Sequence, residues 1–155
     1  MAGIKGGLDM ERILSQVREV LDDVTDKEQR LKKICGLLHE EMDHYDWVGF
    51  YLVEDGELVL GPYVGEPTEH TNIDFGEGIC GQAAESEETF LVDDVSEEDN
   101  YLACSLKVKS EIVVPIFKGD EIVGEIDIDS HEKEAFDKED EELLRKISEE
   151  IGPML

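Results

Sequence analysis

Long apolar runs are missing from this 155-residue chain. A membrane-spanning helix needs roughly 20 consecutive apolar residues, and no segment approaches that. The opening MAGIKGGLDM also lacks the apolar middle of a secretory signal. The expectation is a soluble, cytoplasmic protein. Cysteine is scarce too: three residues, Cys35, Cys80 and Cys104, irregularly spaced and without a CxxC pair. That argues against a secreted disulfide framework and against a structural zinc site. The four histidines are scattered without ligand spacing, so no metal is expected. Positive charge is short as well, with 14 Lys and Arg against 41 Asp and Glu and a formal net charge of -27. Such a surface repels phosphate backbones and anionic lipid, which excludes nucleic acid and membranes as partners. The excess acid reads as a solubility device, suited to a salty medium where dense carboxylates are screened. Internal repeats, low-complexity tracts and a linker are absent, and the length suits one domain of the common size, about 100 to 150 residues.

What is present has clear periodicity. Residues 9–23 carry Met10, Ile13, Leu14, Val17, Val20 and Leu21 at helical spacing, and residues 27–43 repeat it with Leu31, Ile34, Cys35, Leu37 and Leu38. Cys35 falls on that apolar stripe and reads as a core residue. WVGFYLVEDGELVLGPYVG predicts a hairpin turning at Asp55-Gly56, and EIVVPIFKGDEIVGEIDIDS a second one at Gly119-Asp120. Between them the glycine-rich GEGICGQAAES predicts a turn opening a short helix. A last helix is expected over 137–151, with Asp137 as its N-cap. Helices 9–43 at one end, a sheet core over 45–130 and a terminal helix make the fold class α+β, with a single antiparallel sheet.

Two features carry chemistry. In GEIDIDS, Glu125, Asp127 and Asp129 share one face of a strand and Ile126 and Ile128 the other, because strand side chains alternate. That face is either a solvated edge or a site, and alternation alone does not decide. Glu111 starts the preceding strand and belongs to the same hairpin. Clustered carboxylates repel, so at least one should hold its proton toward neutrality and provide an acid. The second feature is the thiols. Cys104 must ionise to act, and a free thiol titrates near about 8.5. Lys107 and Lys109 either offset the nearby acids or point to solvent. Cys80, in GEGICGQ, either gains from a helix N-terminus or is a small packed residue.

Together GEGICGQAA, VDDV, YLACSLKVKSEIVVPI and GEIDIDS, with DWVGFYLVEDGELVLGP upstream, resemble the free methionine-R-sulfoxide reductases, which are single GAF domains. The resemblance covers roughly residues 45–150. It implies a sheet of about six antiparallel strands flanked by helices, a homodimer, and reduction of free methionine-R-sulfoxide. It maps the catalytic cysteine to Cys104 and the cysteine of the GxGxCG turn to Cys80. Glu111, Asp127 and Asp129 become the substrate-contacting acids, and Trp47 and Tyr51 the pocket aromatics. No bound cofactor is implied; an external thiol reductant, such as a thioredoxin-type protein, closes the cycle. One departure stands out. The family usually carries a further cysteine before the glycine-rich turn, and here His70 lies nearest that position. The sulfenic acid on Cys104 is then resolved by Cys80 or by an external thiol. Two other readings remain at this stage: a ligand-binding GAF sensor without chemistry, and a thiol redox sensor using Cys80 and Cys104.

Overall fold

The computed structural model describes residues 7–98 and 107–155. Two helices come first, α1 (Gly7–Asp23) and α2 (Lys27–Glu41). Asp26 caps α2 by accepting the Gln29 N–H at 2.9 Å, and the helix stops two residues short of the expected 43 because Met42 is already extended. Strands β1 (Trp47–Glu54) and β2 (Glu57–Val64) follow, then β3 (Asn72–Asp74), helix α3 (Gly78–Ser86), β4 (Phe90–Val92), β5 (Ser110–Lys118), β6 (Glu121–Ser130) and helix α4 (Lys138–Ile151).

Both predicted hairpins form where expected. Asp55 and Gly56 each take a left-handed backbone, with φ of 52° and 79°, as a two-residue hairpin turn requires. The strands join in one antiparallel sheet of order β3-β2-β1-β6-β5-β4. The residues themselves signalled four of these strands. The two missed, β3 and β4, are three-residue edge strands, too short to show a period.

Alternation along the central strands divides the sheet into two faces. One face packs against α1, α2 and α4: Phe50, Ile112, Val114, Ile126 and Ile128 meet Ile13, Val17, Leu31, Ile34, Leu38, Leu143 and Ile147. Cys35 lies in this cluster, as its stripe position predicted. The other face carries Trp47, Tyr51 and Val113 and packs against α3 through Ile79, Cys80, Ala83 and Ala84. Asp137 does cap α4, forming a reciprocal box with Asp140. Asp140 is itself buried, and its Oδ1 accepts from the Tyr45 hydroxyl at 2.7 Å and lies 2.9 Å from His44 Nε2. This ties the start of α4 to the chain entering β1.

Candidate active site

The pairing of β6 with its neighbours sets the site. Asp127 stands opposite Gly49 of β1 and Val113 of β5, and Asp129 opposite Trp47 and Glu111. The carboxylates predicted on one strand face therefore lie at the middle of the sheet, under α3. They are not a solvated edge: Glu125, Asp127, Asp129 and Glu111 are 0%, 1%, 1% and 4% exposed.

The glycine-rich turn explains how α3 comes so close. Gly78 opens the helix with a φ of 66°, a conformation side-chain-bearing residues rarely adopt. Gly81 sits where a Cβ would lie 2.4 Å from the Asp74 carbonyl oxygen, and its own carbonyl accepts the Gly76 N–H at 2.7 Å. The first turn of α3 is thereby folded back onto the end of β3, and Cys80 is delivered over the acids. Its Sγ lies 4.0 Å from Glu111 Oε2. One ligand atom each from Cys80, Glu111 and Asp127 falls within 4.8 Å of the others.

Burial shapes the electrostatics. It raises the pKa of Glu125, Asp127 and Asp129 above the ordinary carboxylate range, and the charge of Asp127 pushes Glu125 and Asp129 further in that direction. The Cys80 thiol opposes the rise for Glu125 and Asp127, and the Glu111 carboxyl opposes it for Asp127 and Asp129. Both carboxyl oxygens of Glu125 and of Asp129, and Oδ1 of Asp127, have no hydrogen-bond partner among the described residues. For Cys80 the helix N-terminus does not prevail: burial, then the charges of Asp127, Glu111, Glu125 and Asp129, drive its pKa well up. In the resting fold it is a thiol. Cys35, raised by burial as well, only donates to the Pro62 carbonyl at 3.5 Å.

Tyr51, His70, Ile73, Gly78, Ile79, Cys80, Glu111 and Asp127 line a small, partly open cavity of about 10 Å³. The Tyr51 hydroxyl donates to the His70 carbonyl at 2.8 Å. Trp47 shares the Tyr51 side of the sheet but stacks on Tyr63 at a centroid distance of 5.4 Å, its indole N–H donating to the Glu66 carbonyl at 2.9 Å. It does not line the cavity. Lys107 Nζ lies 3.1 Å from Glu66 Oε1 with both side chains exposed, and Lys109 is exposed too. Cys104 lies outside the described residues. Sequence reasoning missed Ile73 and gave His70 no role in the pocket wall, because the segment they occupy has no periodic signal beyond the three residues of β3.

Comparison with known proteins agrees with this geometry. The GAF domain family model matches residues 24–155. The free methionine-R-sulfoxide reductase of Escherichia coli is 37% identical over 125 residues, 81% of this chain and 75% of that one. The reduced form of Staphylococcus aureus fRMsr superposes with a TM-score of 0.88 at 38% identity, covering 98% of this chain and 97% of its own. Free methionine-R-sulfoxide reductase from Neisseria meningitidis, solved in complex with its substrate, gives a TM-score of 0.88 at 34% identity, covering 99% and 93%. With that similarity running nearly end to end, the chain belongs to the free methionine-R-sulfoxide reductases, oxidoreductases built on the GAF domain.

Proposed function

We propose that this protein reduces free methionine-R-sulfoxide to methionine, with Cys104 as the nucleophile. The observation that carries the reading is the buried acid cluster beside a thiol: carboxyls held toward their protonated form, with oxygens available to a ligand. The Cys104 thiolate attacks the sulfoxide sulfur while one of these acids protonates the departing oxygen. The sulfur–oxygen bond breaks as that oxygen leaves as water, and a water then attacks Cys104 Sγ, breaking the new sulfur–sulfur bond so that methionine leaves and Cys104 becomes a sulfenic acid. Cys80 then attacks that sulfur, releasing water and forming a disulfide, which an external dithiol reduces. The raised thiol pKa of Cys80 suits a group that waits for the sulfenic acid and does not compete for substrate. No prosthetic group enters the cycle.

The acids also set specificity. The ammonium group of a free amino acid pairs with carboxylates in the pocket. A methionine within a polypeptide has none, which leaves buried acids unpaired and the substrate rejected. Tyr51 walls the methylsulfinyl end, with Trp47 behind it through the β1 face. A space of about 10 Å³ holds about one water, so the lining must part to admit substrate. The same reading carries a homodimer in the cytoplasm, served by a thioredoxin-type reductant.

The test is turnover with dithiothreitol on free methionine-R-sulfoxide, its S epimer and a peptide-bound sulfoxide. Only the first should be reduced, and Cys104→Ser should abolish the activity while Cys35→Ser leaves it nearly intact. Equal rates on peptide-bound sulfoxide, or full activity in Cys104→Ser, would overturn the assignment. Tight binding of the free amino acid without any turnover would instead identify a sensor.

A further inference from the structure

Four buried carboxylates and a thiol gather under α3, and the ammonium of a substrate occupies them only during turnover. We propose that Cys80, Glu111 and Asp127 form a binding site for a divalent cation of borderline softness, zinc above all, in the resting protein. Their donor atoms are one sulfur and two carboxylate oxygens, all within 4.8 Å of one another. Zinc bonds run about 2.3 Å to thiolate and about 2.0 to 2.2 Å to carboxylate, so closure by about an ångström brings the three onto one ion. Three protein ligands with a fourth position left to water is the usual pattern of an open zinc site.

A second, independent observation points to a ligand. Asp127 Oδ1 is buried without a hydrogen-bond partner among the described residues, on a side chain that is 1% exposed and shares this cavity. An acceptor in that condition costs free energy until a cation or donor reaches it. Asp129, opposite Glu111 in the β5–β6 pairing, leaves both its oxygens without a hydrogen-bond partner among the described residues too. The mixture of sulfur and oxygen donors selects among cations. Magnesium and calcium prefer oxygen alone, whereas a thiolate favours zinc and its heavier analogue cadmium. On binding, the Cys80 S–H bond and the proton held by Asp127 are exchanged for bonds to the metal, and both protons go to solvent. Whether or not the protein reduces methionine sulfoxide, these ligands are the same.

Cadmium titration of the anaerobic, fully reduced protein tests this, because a thiolate–cadmium bond has its own ultraviolet charge-transfer band. One equivalent should saturate the band, and zinc should displace it. Cys80→Ser should lose the band, while Cys35→Ser and Cys104→Ser keep it. Asp127→Asn should weaken the cadmium affinity by about 10- to 100-fold or more. As a second readout in the wild-type protein, zinc should slow alkylation of Cys80. A band that survives in Cys80→Ser, one that vanishes only in Cys104→Ser, or an affinity indifferent to Asp127→Asn would refute the site. None of these measurements depends on turnover, so a failed reductase assay and a failed metal site are read separately.

Discussion

Replacing Asp129 by asparagine should change how stability responds to pH. In the fold, Glu125, Asp127 and Asp129 all keep their protons to higher pH than an unfolded chain would, burial being the first cause. A carboxyl whose folded pKa is raised costs nothing below the unfolded value near about 4 and destabilises progressively above it. Through that window the folded state binds the extra proton, so each group lowers the unfolding free energy by about 1.4 kcal/mol per pH unit. The three together set a ceiling of roughly 4 kcal/mol per pH unit. The window opens just above about pH 4 and closes where the folded carboxyls finally ionise. Asp129→Asn removes one titrating group and should flatten the slope by up to about 1.4 kcal/mol per pH unit. Urea unfolding in steps from about pH 4.5 to about pH 7.5, in enough salt to screen the general surface charge, measures it. The absolute stability of the variant also reflects how the amide packs; the slope isolates the proton. Parallel profiles for wild type and variant would refute the raised carboxyl.

The remaining predictions concern other parts of the molecule. If Cys80 resolves the Cys104 sulfenic acid, substrate without reductant should yield one methionine per chain and an intramolecular disulfide. Cys80→Ser should then stop at the sulfenic acid, which mass spectrometry would detect; full turnover of that variant with a monothiol would assign resolution to an external thiol. Asp140→Ala removes the acceptor shared by the buried His44 and Tyr45 and the reciprocal partner of the α4 cap, and should cost about 2 to 4 kcal/mol in chemical denaturation. A loss well under about 1 kcal/mol would mean that the pair finds other partners. Gly81→Ala pushes a methyl against the Asp74 carbonyl and should cost about 1 to 3 kcal/mol while displacing Cys80, so thermal stability and activity fall together.

The elements with a period were legible in the sequence, and those without one were not. The apolar stripes of α1 and α2 and the alternation in β6 follow from which residues recur, and the Asp137 cap marks the start of α4. Asp55-Gly56 and Gly119-Asp120 mark both hairpins through turn chemistry. The edge strands β3 and β4 offered three residues each, and only the family resemblance implied them. For the site, alternation put Glu125, Asp127 and Asp129 on one face but left open which face meets solvent. That depends on α3 covering the sheet, a tertiary fact set by the close approach at Gly81. Cys80 shows the same limit: its sequence position suggested help from a helix terminus, while its environment is governed by carboxylates brought in from β5 and β6.

One strand, β6, serves both halves of the molecule. Ile126 and Ile128 fill the helix-packed side while Glu125, Asp127 and Asp129 fill the other, and pairing with β1 on one side and β5 on the other fixes the register. A slip of that pairing by a single residue would turn the strand over by one pleat. The acids would then be driven among the hydrocarbon of α1, α2 and α4, and the isoleucines would stand beneath Cys80. Chains in the wrong register therefore have no stable compact form to settle into, and are expected to reopen instead of persisting as a folded, inactive species.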